Sequence, residues 1–329
     1  MNVVDFLAIG DITTDAFIRL KEANISCDID HRNCTISMRF ADKIPYEFVE
    51  IAKAVGNSPN AAVSAARLGL TSALVSNVGN DQNGKDCIET LRSNGVLADF
   101  VSTQKDKVTN YHYVLWYLDE RTILVKHEAY DYVLPSSFAA KWVYLSSLAE
   151  NSLEYHHAIA DYISKSPQTK LVFQPGTYQM RLGVEKIASL YKQSEIFFCN
   201  VEEAERILNI SGRSPRELLT EMQKLGPKII VITDGPKGAY ALHENTAWFM
   251  PIYPDPKPPY ERTGCGDAFA STFTTAIALG KTIEEALMWA PVNPMSVVQY
   301  IGAQRGLLTR SELESLLEKA PSSYKPQPI

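Results

Sequence analysis

The chain has 329 residues, of which 45% are hydrophobic and 21% are charged, and its formal net charge is −6. These values are typical of a globular protein that buries a large core. Lys and Arg are spread along the chain, so there is no basic footprint for nucleic acid, and no apolar run approaches the roughly 20 residues that span a bilayer.

The cysteines and the first residues point to the cytoplasm. The five cysteines lack zinc-type spacing, and the near pair Cys27 and Cys34 is expected to pack as small apolar groups with free thiols. The chain starts without the basic segment of a signal peptide. We therefore expect reduced thiols and a cytoplasmic location.

Along the chain, apolar runs typical of buried parallel strands alternate with helical patterns. The predicted strands are residues 3–9, 72–78, 141–146, 170–174, 195–199 and 228–233. The predicted helices are residues 58–68, 84–93, 152–165, 183–191, 201–208 and 214–224. This alternation predicts right-handed βαβ units, and therefore an α/β fold with helices on both faces of a mostly parallel sheet.

Two regions interrupt this alternation. Residues 33–40 alternate apolar and polar side chains, and residues 109–127 predict a hairpin of two strands, 111–117 and 122–126. The pattern is typical of a small sheet with one exposed face, with an edge hairpin of the main sheet as the alternative for 109–127. Residues 321–329 are predicted to be disordered.

Candidate ligand-binding residues follow the first predicted strand and begin the first predicted helix. Asp11 and Asp15 lie at the carboxyl end of the strand, where open α/β sheets bind ligands, and Asp15 is the preferred candidate. Gly56, Asn57 and Asn60 lie where the helix starts, so their amides and backbone donors are placed to hold a polyhydroxylated ligand. The alternatives are loop hydrogen bonds for the aspartates and ordinary helix capping for the asparagines.

A strong functional signal is the segment Thr263-Gly264-Cys265-Gly266-Asp267. It precedes an apolar helix predicted over residues 268–279. Free N–H groups at a glycine-rich helix start form an anion site, and an aspartate in the first turn would face a bound phosphate. The segment therefore offers donors for a transferring phosphoryl group and a carboxylate that takes a hydroxyl proton. Taken alone, Asp267 could also be a favourable first-turn charge.

Residues 55–69 and 261–267 together resemble the two signatures of the PfkB, or ribokinase-like, family of carbohydrate kinases. The first signature, with its Ala-rich helix ending in Arg-Leu-Gly, matches from Gly56 to Gly69, and the second matches at Thr263, Gly264, Gly266 and Asp267. The resemblance covers nearly the whole chain. It implies a three-layer αβα ribokinase-like fold, formed by residues 1–329 as a single domain, with a small β lid near residues 16–46 and 105–130.

The resemblance also assigns roles to the remaining motifs. It implies ATP and Mg²⁺, with Asn200 near the nucleotide phosphates and Glu203 near the water shell of the metal. Thr233, Gly235 and Gly238 match a turn beside the phosphates, although a plain hairpin would also explain the glycines. The segment around Asn293 is expected to flank the adenine. The lid of this family often pairs two subunits, which implies a homodimer.

Several positions depart from the family pattern. Val55, Glu261, Arg262 and Cys265 replace its usual residues. The glutamate argues against the monovalent-cation site that some members build with an aspartate. After the strand 170–174, Gln174-Pro175-Gly176 stands where the family often has Asp-Pro-Asn, and the following arginine is missing.

We therefore interpret the chain as a kinase that transfers the γ-phosphoryl group of ATP to a hydroxyl of a sugar-like substrate. A nucleoside kinase of the same fold is the first alternative, with Tyr111, Tyr113 and Trp116 as a surface for stacking the base. A catalytically silent sugar- or nucleotide-binding protein is the second. A dinucleotide oxidoreductase is disfavoured because Phe269 occupies the place of its third glycine.

Overall fold

The computed structural model describes residues 3–28, 34–118 and 120–329. In chain order, the strands are β1 Val4–Ile9, β2 Thr13–Leu20, β3 Asn24–Ser26, β4 Thr35–Ser37, β5 Tyr46–Val55, β6 Ser72–Gly79, β7 Val96–Leu97, β8 Val101–Gln104, β9 Asn110–Tyr117, β10 Glu120–Leu124, β11 Ala140–Leu145, β12 Lys170–Phe173, β13 Ser194–Asn200, β14 Ile229–Thr233, β15 Ala239–His243, β16 Thr246–Met250 and β17 Gln327–Pro328. The helices are α1 Asn57–Arg67, α2 Gln82–Ser93, α3 Leu153–Lys165, α4 Thr177–Leu182, α5 Ala188–Gln193, α6 Val201–Leu208, α7 Pro215–Gln223, α8 Cys265–Ala278, α9 Ile283–Trp289, α10 Val292–Val297 and α11 Arg310–Glu318.

The main sheet has the order β17-β16-β15-β14-β13-β12-β11-β1-β6-β7, with β8 also paired to β6. Its strands are parallel from β14 to β7, whereas β15, β16 and β17 add an antiparallel edge. Each of the six strands predicted from apolar runs agrees with an observed strand to within one residue at each end. The predicted helix 183–191 is instead a 3₁₀ turn, Glu185–Ile187, followed by α5.

Two apolar layers cover the sheet, one on each face. Because side chains alternate along a strand, Phe6 and Ala8 of β1 pack into one core with α1, α8 and α9. Leu7 and Ile9 of the same strand pack into the other core with α3, α5 and α7. The three-layer αβα architecture expected from the sequence is therefore confirmed. No helix among the described residues is long and apolar enough to cross a membrane.

A second, smaller sheet lies over the carboxyl ends of the main strands, and we call it the lid. Its order is β10-β9-β2-β5, in which β9 and β2 run parallel and the other pairs run antiparallel. The predicted hairpin is β9 and β10, so the alternative of an edge hairpin in the main sheet is wrong. The predicted strand 33–40 contains β4, and residue 33 lies outside the described residues.

Strands β2 and β5 were not predicted. β2 begins Thr13-Thr14-Asp15, which lacks the apolar character of a buried strand, although the lid buries all three residues. β5 contains Glu47, Glu50 and Lys53, which obscure its alternation of exposed and half-buried positions.

The expectation of free thiols at Cys27 and Cys34 is wrong, because the two residues form a disulfide. β3 and β4 form an antiparallel pair in which Ser26 is opposite Thr35. The next residues along the two strands are the cysteines, and their Cα atoms lie 4.0 Å apart. This contact depends on strand register, which the spacing of the cysteines does not reveal. The other three cysteines are free.

The predicted disorder of residues 321–329 is also wrong. Tyr324 is only 4% exposed, its hydroxyl donates to the carbonyl of Met288 at 2.6 Å, and its ring packs edge-on against Tyr253. β17 then pairs with β16. The prolines suggested an irregular chain, but a single buried aromatic side chain anchors the segment to the core.

Candidate active site

The motifs from both halves of the sequence meet in one cavity of about 590 Å³ between the main sheet and the lid. The start of α1 and the start of α8 lie side by side here, at the carboxyl ends of the parallel strands. The lid supplies the opposite wall with residues of β2, β9 and β10. This is the edge at which open α/β sheets bind ligands.

Asp267, in the first turn of α8, is the most strongly held side chain of the cavity. Its Oδ1 accepts hydrogen bonds from Asn57 at 2.7 Å and from Gln174 at 3.4 Å, and its Oδ2 accepts one from Asn60 at 2.8 Å. Gln174 in turn accepts a short hydrogen bond from the hydroxyl of the buried Tyr144. Asn57 and Asn60, predicted to bind substrate, thus contact the carboxylate predicted to be the base.

Asp267 lies in the first turn of a helix, where the dipole favours a negative charge, but its pKa is nevertheless raised. Burial raises the pKa of the carboxyl, because desolvation disfavours its charged form. The hydrogen bonds from Asn60, Asn57 and Gln174, with the charge of Arg121, oppose this effect only in part. A carboxylate with a raised pKa is a stronger proton acceptor when it is ionised.

The segment before Asp267 starts α8 and lines the cavity, as expected, and its role as an anion site stays a prediction. Gly264 is the N-cap of α8 with φ of +81°, and a Cβ at this position would lie 2.2 Å from the Cβ of Ala303. Gly266 borders the cavity, where the nearest atom to an added Cβ is the Nε2 of Gln174 at 3.8 Å. Burial raises the pKa of the Cys265 thiol to about 12, so Cys265 contributes through its backbone amide rather than as a thiolate.

On the lid side, Asp15 and Asp11 differ in how their carboxylates are used. Asp15 is 8% exposed, and its Oδ1 has no hydrogen-bond partner among the described residues, with the Nδ1 of His112 at 3.4 Å. Both oxygens of Asp11 accept from the hydroxyl of Tyr132, at 2.8 and 3.0 Å, and His127 lies 3.3 Å away. Asp15 therefore keeps an unsatisfied carboxylate oxygen, whereas both oxygens of Asp11 are used, and the role of Asp15 in binding a ligand stays a prediction.

Asn200, Glu203 and Thr233 line the cavity on the side of β13 and β14. Asn200 and Thr233 are register partners at the ends of these two strands. Asn200 caps α6 by accepting from the N–H of Glu203 at 2.8 Å, while Glu203 accepts from the N–H of Asn200 at 2.9 Å. Burial raises the pKa of Glu203. The capping box holds both side chains at the cavity wall.

Three other predicted site residues do not line the cavity. Gly235 begins a single 3₁₀ turn after β14, close to Thr233, and Gly238 directly follows this turn. Asn293 is fully buried, donates to Thr272 at 2.8 Å and accepts from the N–H of Leu308 at 2.8 Å. Both polar atoms of its side chain are thus used within the protein. The placement of these segments beside a nucleotide stays a prediction.

Several residues that the structure brings to the site had only weak signals in the sequence. Gln174 was noted only as a departure from a pattern, although it contacts Asp267. Arg121 belonged to the predicted turn of the lid hairpin, yet it lines the cavity. His112 and His127 also line it, with ring centroids 5.3 Å apart. Both histidines belong to the predicted hairpin region 109–127, but the sequence does not show which residues of that region face the cavity.

In the part of the chain that the structure describes, no cluster of three or more His, Cys, Asp or Glu side chains is arranged to hold a metal ion. The carboxylate of Glu261 is 3% exposed and already has partners. Its Oε1 accepts from the N–H of Thr263 at 2.7 Å and from its hydroxyl at 2.5 Å, and its Oε2 accepts from the N–H of Gly302 at 3.3 Å.

A family model described as pfkB family carbohydrate kinase matches residues 43–310. The chain belongs to this family. It is 27% identical over 267 residues to the ribokinase of Bacillus subtilis, which covers 80% of this chain and 87% of the relative. It is also 27% identical over 290 residues to the 5-dehydro-2-deoxygluconokinase of the same species, covering 83% and 89% of the two chains.

Solved structures share the fold of this PfkB kinase. A nucleoside kinase of Methanocaldococcus jannaschii has a TM-score of 0.79 at 18% identity, with 97% of this chain and 100% of the other covered. The ribokinase of Arabidopsis thaliana, solved with ribose and ATP, has a TM-score of 0.79 at 20% identity, with 96% and 99% covered. The fold, the lid and the kinase family predicted from the sequence are thereby confirmed.

Proposed function

We propose that this protein transfers the γ-phosphoryl group of ATP to a hydroxyl of a sugar or sugar-like acceptor, and that residues 1–329 form one kinase domain. The observation that carries the proposal is the buried carboxylate of Asp267, oriented by Asn57 and Asn60 beneath the glycine-rich start of α8. It shares one cavity with the available carboxylate of Asp15.

The geometry supports a direct transfer in which each group has one task. Asp15 and the neighbouring lid residues hold acceptor hydroxyls, and Asp267 orients the attacking oxygen and takes its proton. The new bond joins that oxygen to the γ-phosphorus, while the bond to the β-phosphate oxygen breaks and ADP leaves. The amides around Gly264 and Gly266 stabilise the charge on the transferring group. Because the transition state is loose, alignment and charge neutralisation suffice.

The nucleotide phosphates would lie between Asn200, Thr233 and the start of α8. Mg²⁺ neutralises phosphate charge when it is bound, and it usually keeps several waters, so Glu203 fits as a partner of that water shell. For a monovalent cation, the fit is poor, since the Glu261 carboxylate is already satisfied by Thr263 and Gly302.

The lid favours a sugar acceptor over a nucleoside. Tyr111, Tyr113 and Trp116, suggested as a surface for stacking a base, do not line the cavity. Trp116 is buried within the lid, and Tyr113 is 48% exposed. The strands instead present His112 and other polar groups to the cavity, which suit hydroxyls. A nucleoside kinase nevertheless has the same fold and remains the second candidate.

The alternative of a catalytically silent binding protein is suggested by Gln174 and Gly176, which stand where the family often has Asp and Asn. Gln174 supports the carboxylate of Asp267 rather than replacing it, so this departure is compatible with catalysis. We propose that the site is active.

A screen of acceptors tests the function. Release of ADP from ATP and Mg²⁺ would be measured with pentoses, hexoses, keto-acid sugars and nucleosides, and without an acceptor. We expect turnover with at least one free sugar or sugar acid above the acceptor-free rate. Turnover of a nucleoside well above that of every free sugar would make the nucleoside kinase the first candidate. No acceptor-dependent turnover at all would support the catalytically silent alternative.

A further inference from the structure

One lid side chain lies in the cavity with its charge largely unpaired. Arg121 is carried by β10, its side chain is 28% exposed, and it lines the cavity. Its Nε is buried and makes no hydrogen bond among the described residues. A buried guanidinium N–H without an acceptor is costly, so such an atom points to a ligand that supplies one.

The carboxylate nearest to Arg121 does not fill that role. Oε1 of Glu261 lies 3.9 Å from the Nε of Arg121, beyond hydrogen-bonding distance. The same carboxylate already accepts hydrogen bonds from Thr263 and from the N–H of Gly302. Glu261 therefore attracts the guanidinium electrostatically, and among the described residues the Nε of Arg121 still has no acceptor.

Arg121 also lies within electrostatic reach of the reacting centre. Burial raises the pKa values of Asp267 and of Cys265, and in both cases the positive charge of Arg121 acts in the opposite direction. The guanidinium, the carboxylate of Asp267 and the amides around Gly264 and Gly266 border the same cavity. An anion bound at the start of α8 would meet this cation from the lid side.

We propose that Arg121 is a catalytic residue that donates to the non-bridging oxygens of the phosphoryl group during its transfer. The inference rests on the proposed function. The acceptor oxygen bonds to the γ-phosphorus, its proton passes to Asp267, and the bond to ADP breaks. Arg121 neutralises charge on the three equatorial oxygens without gaining or losing a proton. Its planar fork of donors matches two such oxygens at once.

The alternative is that Arg121 only braces the lid against Glu261. The two roles differ in the step that they affect. A brace holds the acceptor, so its loss would raise the KM of the acceptor. A donor to the transferring group acts mainly in the transition state, so its loss would lower kcat with similar ground-state binding.

The test compares Arg121→Ala and Arg121→Lys with a matched control, Arg19→Ala. Arg19 lies on β2 of the lid and packs over the ring of Trp116 at 4.3 Å, but it does not line the cavity. Kinetic constants for ATP and for the acceptor found in the screen would be measured with and without added guanidinium chloride. Calorimetry would measure binding of a non-hydrolysable ATP analogue, and of ADP with aluminium fluoride plus acceptor as a mimic of the transferring group.

For Arg121→Ala we expect kcat to fall by about 10²–10³, the usual loss for one transition-state donor. Binding of the aluminium fluoride complex should weaken by a similar factor, and binding of the ATP analogue should change little. Guanidinium should restore part of the activity of Arg121→Ala, while KCl should not. The kcat of Arg121→Lys should lie between those of Arg121→Ala and the unchanged protein. Arg19→Ala should stay within a few-fold of the unchanged protein in kcat and show no rescue.

A loss confined to the acceptor KM, unchanged binding of the aluminium fluoride complex, or equal effects of Arg121→Ala and Arg19→Ala would overturn the role of Arg121. These outcomes leave the proposed function intact, because the unchanged protein still transfers phosphate. The proposed function itself fails only if the unchanged protein shows no acceptor-dependent turnover.

Discussion

At the start of α8, burial and hydrogen bonding act on Asp267 in opposite directions. Desolvation raises the pKa of the carboxyl, and three amide donors stabilise its ionised form. The result is a carboxylate with a fixed orientation and increased basicity, which suits proton transfer from a hydroxyl. A position in the first turn of a helix can be predicted from the sequence, whereas the burial that raises this pKa cannot.

Replacement of Asp267 by Asn tests its role as the base. The amide keeps the shape but cannot accept the proton, so we expect kcat to be lower by about 10²–10⁴, with ATP affinity and fold close to those of the unchanged protein. Steady-state kinetics and calorimetry provide the measurements. Mutant activity within a few-fold of the original would mean that another group is the base.

The pH profile of kcat/KM tests the raised pKa of Asp267. Only the ionised carboxylate accepts a proton, so activity should fall as the pH drops through a value above about 3.9, the ordinary pKa of Asp. In Gln174→Met, a hydrogen bond that lowers this pKa is lost, so the acidic limb should move to higher pH.

The same variant has a second expected effect and a control. Loss of the hydrogen bond from Gln174 to Asp267, of about 1 kcal/mol, should lower kcat at the optimum by roughly fivefold. The variant also loses the hydrogen bond from Tyr144, so its fold would be compared with that of the unchanged protein by circular dichroism. Gln104→Met, at a glutamine outside the cavity, should leave the limb in place. An acidic limb that is the same in Gln174→Met and in the unchanged protein would contradict the contact between Gln174 and Asp267.

Among the secondary-structure elements, β17 shows how a short segment is held by one side chain. The strand has two residues, both exposed, so its pairing with β16 adds little burial. Tyr324, three residues earlier, fills a site between Tyr253 and the end of α9, where it bonds to Met288. The contribution of this segment to stability therefore depends on the tyrosine.

Substitution of Tyr324 measures that contribution. Tyr324→Ala should lower the free energy of unfolding by about 3–5 kcal/mol, as for other buried aromatic side chains, because it leaves a cavity. Tyr324→Phe should cost about 1 kcal/mol, since only the hydrogen bond is lost. Urea unfolding gives both values, with Tyr46→Ala, at a residue 54% exposed, as the control. Equal stability of the Tyr324→Ala and Tyr46→Ala variants would show that the segment is not anchored.

At the scale of the whole molecule, the outer face of the lid exposes several large apolar side chains. Cross-strand register puts Ile51, Ala16, Tyr113 and Leu124 in one row. Three of these residues are large and about half exposed, at 53%, 48% and 52% for Ile51, Tyr113 and Leu124. An exposed apolar sheet face of this kind is typical of an interaction surface. The predicted homodimer through the lid would cover it.

Light scattering at micromolar concentration tests the assembly. We expect a dimer for the unchanged protein, and a shift to monomer for Ile51→Glu, because a buried unpaired charge at a two-fold interface is repeated in both subunits. Val133→Glu changes a residue that is 75% exposed and outside the lid sheet, so it should leave the dimer intact. A monomeric unchanged protein would remove the dimer but not the lid.

Much of the architecture was determined by local patterns in the sequence. Apolar runs of strand length are typical of strands buried on both faces, and six of the parallel strands were predicted to within one residue at each end. Glycines beside an aspartate at a helix start have few structural explanations, so the segment around Gly264, Gly266 and Asp267 indicated the chemistry. The carboxylates and amides that belong to the site were also named by their motifs.

Only the tertiary structure decided how these residues meet. Asn57 and Asn60 are separated from Asp267 by more than 200 residues, and their hydrogen bonds depend on α1 and α8 lying side by side. The disulfide depends on the register of β3 and β4, and the place of Arg121 depends on which face of the lid is turned inward. The pKa of Asp267 depends on burial. Such contacts and desolvation arise from packing between distant segments, which local sequence patterns do not contain.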